Sequence, residues 1–336
     1  MRNLLLLLVG TSATVAFGQP PPGYYDPAIG LSGAALKTAL HNIISPHTVH
    51  SYGQLWNDFE STDDRDDNGK VWDIYSDIPG GSAPYLFNFG SDQCGSYDSE
   101  DDCYNREHTV PQSWFNSDSP MVSDLFHIYP TDGWVNNKRG DLPYGEVGSP
   151  DWTGLNGSTV GYSITQGYPY TVFEPIDAFK GDLARTYFYM MTRYMDVVGS
   201  WSSDMFSNGD LAPWVQNMML QWNVDDPVSQ KEIDRNNAVY TIQDNRNPYI
   251  DHPEWAHSIW VTFVGLAEQD DAGTLWYADG ALHRTPSTER NTATIIDAAG
   301  RSVFSAPFTT SFLALPELPA GVFVARVGDK VLWFVR

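Results

Sequence analysis

The densest group of reactive side chains in this 336-residue sequence lies between Asn105 and Gly145. Arg106, Glu107 and His108 stand in succession, and Asn136, Lys138 and Arg139 follow further along. The group holds a candidate proton acceptor in His108, two ligand types for a hard metal ion in Glu107 and Asn136, and three cations. Hydrolysis of a phosphodiester needs that set: neutralisation of an anion, a base for the attacking water and stabilisation of the leaving oxygen. Histidine suits the second task because it titrates near neutrality. An oxygen-rich pair such as Glu107 and Asn136 suits Mg²⁺, with Mn²⁺ or Ca²⁺ as substitutes, an ion that keeps several waters and binds phosphate directly. Arg139 lies three residues beyond Asn136, on the same face of a helix, where it could clamp the phosphate.

The elements must deliver these groups to one place. Adjacent residues on a strand point to opposite sides, so Glu107 and His108 share a site only if the strand ends there, and Pro111 permits that ending. Leu36, Leu40 and Ile43 or Ile44 recur at helical spacing within Gly30 to Ile44. Asp182 to Tyr194, Asn208 to Val224 and Gln230 to Ile242 read as further helices, the first of them buried. Val71 to Tyr75 alternates as a half-buried strand does, before a turn at Pro79-Gly80-Gly81. Beyond about Leu266 a polar linker with Asp270, Asp271, Gly273 and Pro286 leads into strands at Thr292 to Ile296, Val322 to Val327 and Val331 to Val335, the last two joined by a Gly328-Asp329-Lys330 turn. The expected fold class is α+β, a mainly helical domain with a small all-β appendage.

Met1-Arg2-Asn3, the apolar run Leu4 to Val9 and the small-x-small site Ala16-Phe17-Gly18 read as a secretory signal peptide over residues 1–18. No stretch reaches the length of a membrane span. Export makes a disulfide the natural state of Cys94 and Cys103, and closing so short a loop is worth roughly 2–3 kcal/mol. Aromatic residues make up 14% of the chain, enough for a substantial core. The net charge of −23 excludes a broad electrostatic footprint for nucleic acid, whose affinity comes largely from Lys and Arg. An enzyme making local, transient contact survives that restriction when a bound cation supplies the positive charge.

Asp64, Asp66 and Asn68 fit the start of a calcium loop that could hold a second, structural Ca²⁺, but the twelfth position is Tyr75, so the other reading is a solvated acidic turn. Trp114, Trp134 and Tyr187 are candidates for base stacking or for core. Arg185 is a candidate phosphate contact or structural ion-pair partner, and His127 either orients the site or packs beneath it. His47, His50, His252, His257 and His283 read as structural.

Arg106 to Trp114 and the runs Ser123-Asp124-Leu125 and Val135 to Gly140 resemble the endonuclease I family of exported bacterial nucleases, as do Ala184 to Met190 and Asn245 to Tyr249. The resemblance spans roughly residues 25–265 and implies a ββα-metal (His-Me finger) core. It implies His108 as general base, Glu107 and Asn136 as holders of one divalent ion, and Arg106 or Arg139 on the phosphate. Products would carry 5′-phosphate and 3′-hydroxyl ends, from DNA and from RNA alike, because nothing in the route uses a 2′-hydroxyl. Some shorter relatives carry Glu just before the Ser-Asp pair where this chain has Val122, with Asp124 the nearest substitute. Thr294 to Asp297, Gly300-Arg301, Leu318 to Val324 and a terminal basic residue resemble a sorting domain of type IX secretion. That likeness implies passage through the periplasm to the medium or the cell surface. The expected organisation is a signal peptide over 1–18, a nuclease domain over 19–265, a linker over 266–280 and a sorting domain over 281–336, with a monomer favoured. Two rivals are a catalytically silent binding module on the same fold and a hydrolase of other phosphodiesters or of peptides. The absence of an H-E-x-x-H run lowers the peptidase option.

Overall fold

The computed structural model describes residues 19–66, 68–261, 275–278, 280–284, 291–297, 301–319, 321–328 and 330–335. The expected signal peptide, most of the linker, Pro286, Gly300 and the terminal Arg336 lie outside the described residues. The chain divides after Val261 into two compact units. Helix and strand are mixed, as in an α+β protein. No helix among the described residues is long and apolar enough to cross a membrane.

In the first unit, α1 (Gly33–Ile44) buries Leu36, Leu40 and Ile44, one face at four-residue spacing. It starts three residues later than the expected Gly30. After α2 (Leu55–Thr62) comes a short hairpin of β1 (Asp64–Arg65) and β2 (Lys70–Val71). The strand expected through Tyr75 stops at Val71. Val71 to Tyr75 are all buried rather than alternating, and the Asp73 carboxylate accepts from the Tyr75 N–H at 2.7 Å and the Asp132 N–H at 2.8 Å. A buried carboxylate must find donors; here it finds them by bending its own chain away from a sheet.

The centre of the unit is an antiparallel pair, β3 (Tyr104–His108) and β4 (Ile128–Asp132), followed at once by α3 (Gly133–Arg139). Asp132 caps α3 by accepting from the Trp134 and Val135 N–H groups. A β-carbon at Gly133 would sit 2.6 Å from the Tyr97 ring, so only glycine lets the helix start there. Next come a three-stranded sheet, β5 (Val147–Thr153), β6 (Thr159–Ser163) and β7 (Thr171–Glu174), and α4 (Lys180–Arg193), which is buried from Lys180 to Thr192.

The helix expected from Asn208 begins only at Pro213. Asn208 and Gly209 take positive φ of 53° and 76° as the turn between β8 (Phe206–Ser207) and β9 (Asp210–Leu211), and Pro213 then starts α5 (Pro213–Asp225). A Ser229–Glu232 capping box opens α6 (Gln230–Gln243), before α7 (Pro248–Asp251) and α8 (Glu254–Trp260).

Buried arginines tie these helices to the centre. Arg235 on α6 pairs with Asp63 and donates to the Leu125 and Ile128 carbonyls, which fixes the start of β4. Arg185 on α4 meets Glu232 through two bonds of 2.6 and 2.9 Å and also donates to Asn223 and to the Asp226 carbonyl. Its role is therefore the structural one of the two expected.

In the second unit the described elements are strands. β10 (Leu275–Ala278), β11 (Ala281–Arg284) and β14 (Phe312–Ala314) form one sheet, with β10 falling inside the stretch expected as linker. β12 (Asn291–Asp297), β13 (Ser302–Phe308), β15 (Val322–Val327) and β16 (Lys330–Val335) form another in the order β13-β12-β15-β16. Ala293, Ile295, Phe308, Phe323, Ala325 and Phe334 are among its buried apolar residues.

Candidate active site

β3 ends at His108 because Thr109 turns to donate to the His127 carbonyl through both its N–H and its hydroxyl at 3.0 Å, and Pro111 then opens a 3-10 turn over Gln112–Phe115. That ending puts Glu107 and His108 on one cavity of about 470 Å³. Arg106, Asn105, Asn136, Tyr52 and Trp56 line it as well. The structure thus brings together four residues singled out from sequence: Arg106, Glu107, His108 and Asn136.

His108 is 5% exposed and stacks on the Tyr52 ring at 5.6 Å. Its Nε2 lies 3.2 Å from the Val122 carbonyl, which can only accept, so Nε2 carries the proton and Nδ1 carries the lone pair. Burial, with His127 and the neighbouring guanidinium groups, depresses its pKa to about 3, so the ring is neutral at physiological pH. The orienting partner of His108 is thus a main-chain carbonyl, which the side-chain comparison at Val122 had no means of finding. Asp124 does not stand in for a missing carboxylate there. It is buried and accepts from the Tyr189 and Tyr194 hydroxyls, the Phe126 N–H and the Gln243 amide. His127 packs beneath the site, fully buried, with Nε2 2.6 Å from the Met121 carbonyl and its ring 5.4 Å from that of His108.

Glu107 is 2% exposed, and its Oε1 accepts from Tyr75 at 2.8 Å and from Arg139 at 2.9 Å. Burial pushes its pKa up to about 7, against the pull of Arg139 and Tyr75. Arg139 corrects an expectation, since it is not on the cavity. It is fully buried and spends its donors on Glu107 and on the carbonyls of His108, Thr109 and Leu142. A phosphate cannot reach it. Arg106 is the arginine on the cavity wall, with its guanidinium 3.5 Å from the Tyr52 ring centre and 4.5 Å from that of Trp56. Asn136 donates from Nδ2 to Asn105 Oδ1 at 2.7 Å, which fixes the orientation of its amide. Asn105 is a positioning residue that the sequence reasoning passed over.

Among the described residues, no three His, Cys, Asp or Glu side chains cluster as a metal site. The oxygen donors on the cavity include the Glu107 carboxylate and the Asn136 amide, with the Asp141 carboxylate also on its lining. They fit a hard ion that keeps most of its waters and do not fit a closed cage. The calcium-loop reading of Asp64, Asp66 and Asn68 is not supported. Asp64 accepts from the Asn68 and Gly69 N–H groups, Asn68 caps the Lys70 N–H and Asp66 pairs with Arg65, so the side-chain oxygens serve a hairpin turn. Of the aromatic candidates, Tyr187 and Trp114 are buried, and Trp134 lies under Lys138 at 4.6 Å.

A disulfide joins Cys94 and Cys103, and Cys94 and Gly95 form part of the cavity wall beside β3. Reduction is expected to lower activity at thiol concentrations that leave far-ultraviolet circular dichroism intact, since the short closed loop braces the wall and not the core. A reduced protein with wild-type activity would count against this.

A neutral imidazole, carboxylates, amides and a guanidinium line one cavity, groups with which an anionic ester can be hydrolysed. Residues 32–254 match the endonuclease I family. The chain belongs to that family and is a nuclease. An extracellular ribonuclease of Bacillus amyloliquefaciens is 36% identical over 261 residues, covering 74% of this chain and 82% of the relative. An extracellular ribonuclease of Bacillus subtilis is 36% identical over 249 residues, 70% of this chain and 78% of the relative. An endonuclease-1 of Buchnera aphidicola is 28% identical over 133 residues, 39% and 45% of the two chains.

Proposed function

We propose that this protein is a secreted endonuclease that hydrolyses phosphodiester bonds of DNA and RNA with little sequence specificity. In this reading His108 is the general base, Arg106 holds the phosphate, and Glu107 and Asn136 hold one divalent cation, Mg²⁺ or a similar hard ion. The observation that carries it is that His108, with Nε2 committed to the Val122 carbonyl and no hydrogen-bond partner at Nδ1 among the described residues, lines the same cavity as Arg106, Glu107 and Asn136. The pair β3–β4 with α3 is read as a ββα-metal core.

A phosphodiester seated over Arg106 presents its phosphorus to a water beside His108. The imidazole takes the water's proton as the O–P bond forms and the bond to the 3′ oxygen breaks; the departing 3′ oxygen takes a proton from solvent and the imidazolium returns its proton to solvent, leaving a 5′-phosphate and a 3′-hydroxyl. A divalent cation bound by Glu107 and Asn136 would neutralise phosphate charge and favour departure of the 3′ oxygen. No group in this route contacts a 2′-hydroxyl, which agrees with the names ribonuclease and endonuclease borne by the relatives. The word extracellular in two of those names supports export, as does the signal-like start. Type IX secretion machinery as a partner, with the tail from residue 281 as its sorting domain, rests on the sequence likeness alone.

The test is to incubate purified mature protein with plasmid DNA and with RNA, each with Mg²⁺ and with a chelator. Both polymers are expected to be cut in Mg²⁺ and neither in chelator. Wild-type protein that cuts neither polymer would leave the silent-module reading in place instead.

A further inference from the structure

Beside the catalytic cavity lies a second cleft of about 520 Å³, and Asp141 lines both. The 3-10 turn Gln112–Phe115 also links them, with Gln112 and Ser113 on the first and Trp114 on the second. The cleft is aromatic. Tyr162 and Tyr170 are 67% and 62% exposed. Tyr168 is held in place, stacked on Trp214 at 4.2 Å and 13° with its hydroxyl donating to Asp204 at 3.1 Å. The ring of Tyr170 stands edge-on to that of Tyr168 at 5.3 Å, and the Tyr170 carbonyl accepts from the Ser163 N–H beside Tyr162, so pairing at the end of β6 and β7 holds the backbone that carries both exposed tyrosines.

The charges in this cleft select what it can take. Its described lining holds two carboxylates, Asp141 and Asp204, and neither Lys nor Arg. A phosphate backbone gains nothing there. Flat rings with amino or imino edges gain stacking on tyrosine and hydrogen bonds to carboxylate oxygens. A strand whose phosphate is cut in the neighbouring cavity must place a flanking nucleotide nearby. Only an unpaired, unstacked base offers its face and its pairing edge together, since in a duplex pairing hides that edge and stacking hides the face.

We propose that the Tyr162–Tyr168–Tyr170 cleft is a subsite for an unpaired nucleobase flanking the scissile phosphate, which gives the enzyme a preference for single-stranded substrate. This rests on the nuclease reading above. The chain's negative charge makes the subsite matter more, because stacking supplies affinity that a basic surface would otherwise provide.

The probes are fluorescein-labelled single-stranded RNA and DNA oligomers of mixed sequence, bound by the full chain in chelator and read by anisotropy. Cleavage is measured separately in Mg²⁺ on the same oligomers and on bis(4-nitrophenyl) phosphate, which carries no base. The Tyr162→Ala/Tyr170→Ala double variant is expected to bind single strands about 5- to 150-fold more weakly than wild type. Its kcat/KM on single strands should fall by a similar factor relative to that on the baseless ester. The Tyr162→Phe/Tyr170→Phe variant, which keeps both rings, should bind as wild type does. Loss on RNA alone, on DNA alone or on both supports the subsite and identifies the strand it takes. Alanine variants that bind both strands as wild type does, or phenylalanine variants as weak as the alanine ones, overturn it. Because anisotropy needs no turnover, a wild type that binds but never cuts would sink the nuclease reading and leave the subsite standing.

Discussion

His108→Ala is expected to slow cleavage of DNA and RNA by about 10²- to 10⁴-fold, the usual worth of a positioned general base. The melting midpoint should stay within a few degrees of wild type. The size of the effect follows from the way the ring is held. Nε2–H is committed to the Val122 carbonyl at 3.2 Å, the Tyr52 ring stacks on one face, and burial keeps the imidazole neutral, so one lone pair is presented in one orientation. Alanine removes that acceptor, and no neighbour replaces it. Glu107 already receives two bonds on Oε1, and His127 has its Nε2 on the Met121 carbonyl beneath the site. The effect on folding is the smaller one because a single hydrogen bond to one carbonyl is lost, at about 1 kcal/mol net, together with the ring packing on Tyr52 and Phe115. A variant that cuts as fast as wild type would remove His108 from the mechanism.

The parts of the fold set by repeated side-chain spacing were legible in the sequence. The buried face of α1 follows from periodicity and buried α4 from the run 182–194 without Gly or Pro, while the share of one cavity by Glu107 and His108 needs a strand ending that Pro111 permits and the Thr109 turn makes. What was not legible depends on where a polar group finds its partner. Val71 to Tyr75 has a strand's alternation, yet Asp73 captures two N–H groups and draws all five residues inside. The orienting acceptor of His108 is a carbonyl, and every residue has one, so no side-chain type could mark Val122. Asn136 and Arg139 share a helical face by spacing. Only the packing of Thr109, Leu142 and Glu107 around the guanidinium shows that Asn136 reaches the cavity while Arg139 does not.

Arg139 therefore carries the second large expectation, and it concerns stability. Arg139→Met should lower unfolding stability by about 3–5 kcal/mol, the cost of leaving a buried partner charge uncompensated. The guanidinium is fully buried and donates to the Glu107 carboxylate and to the carbonyls of His108, Thr109 and Leu142. Methionine fills part of the volume but satisfies none of those acceptors. The Glu107 carboxylate, whose pKa burial already raises to about 7, would lose its only charged partner among the described residues. Adding Glu107→Gln to Arg139→Met should return part of the loss, because a neutral amide can still accept from Tyr75 and no longer needs a cation. Arg106→Ala should do the reverse of Arg139→Met. Its side chain lies on the cavity wall against Tyr52 and Trp56, so hydrolysis should suffer far more than the denaturant midpoint. Denaturant titrations of the three variants, run beside their cleavage rates, separate a brace from a clamp. An Arg139→Met protein as stable as wild type but inactive would restore Arg139 as the residue on the phosphate.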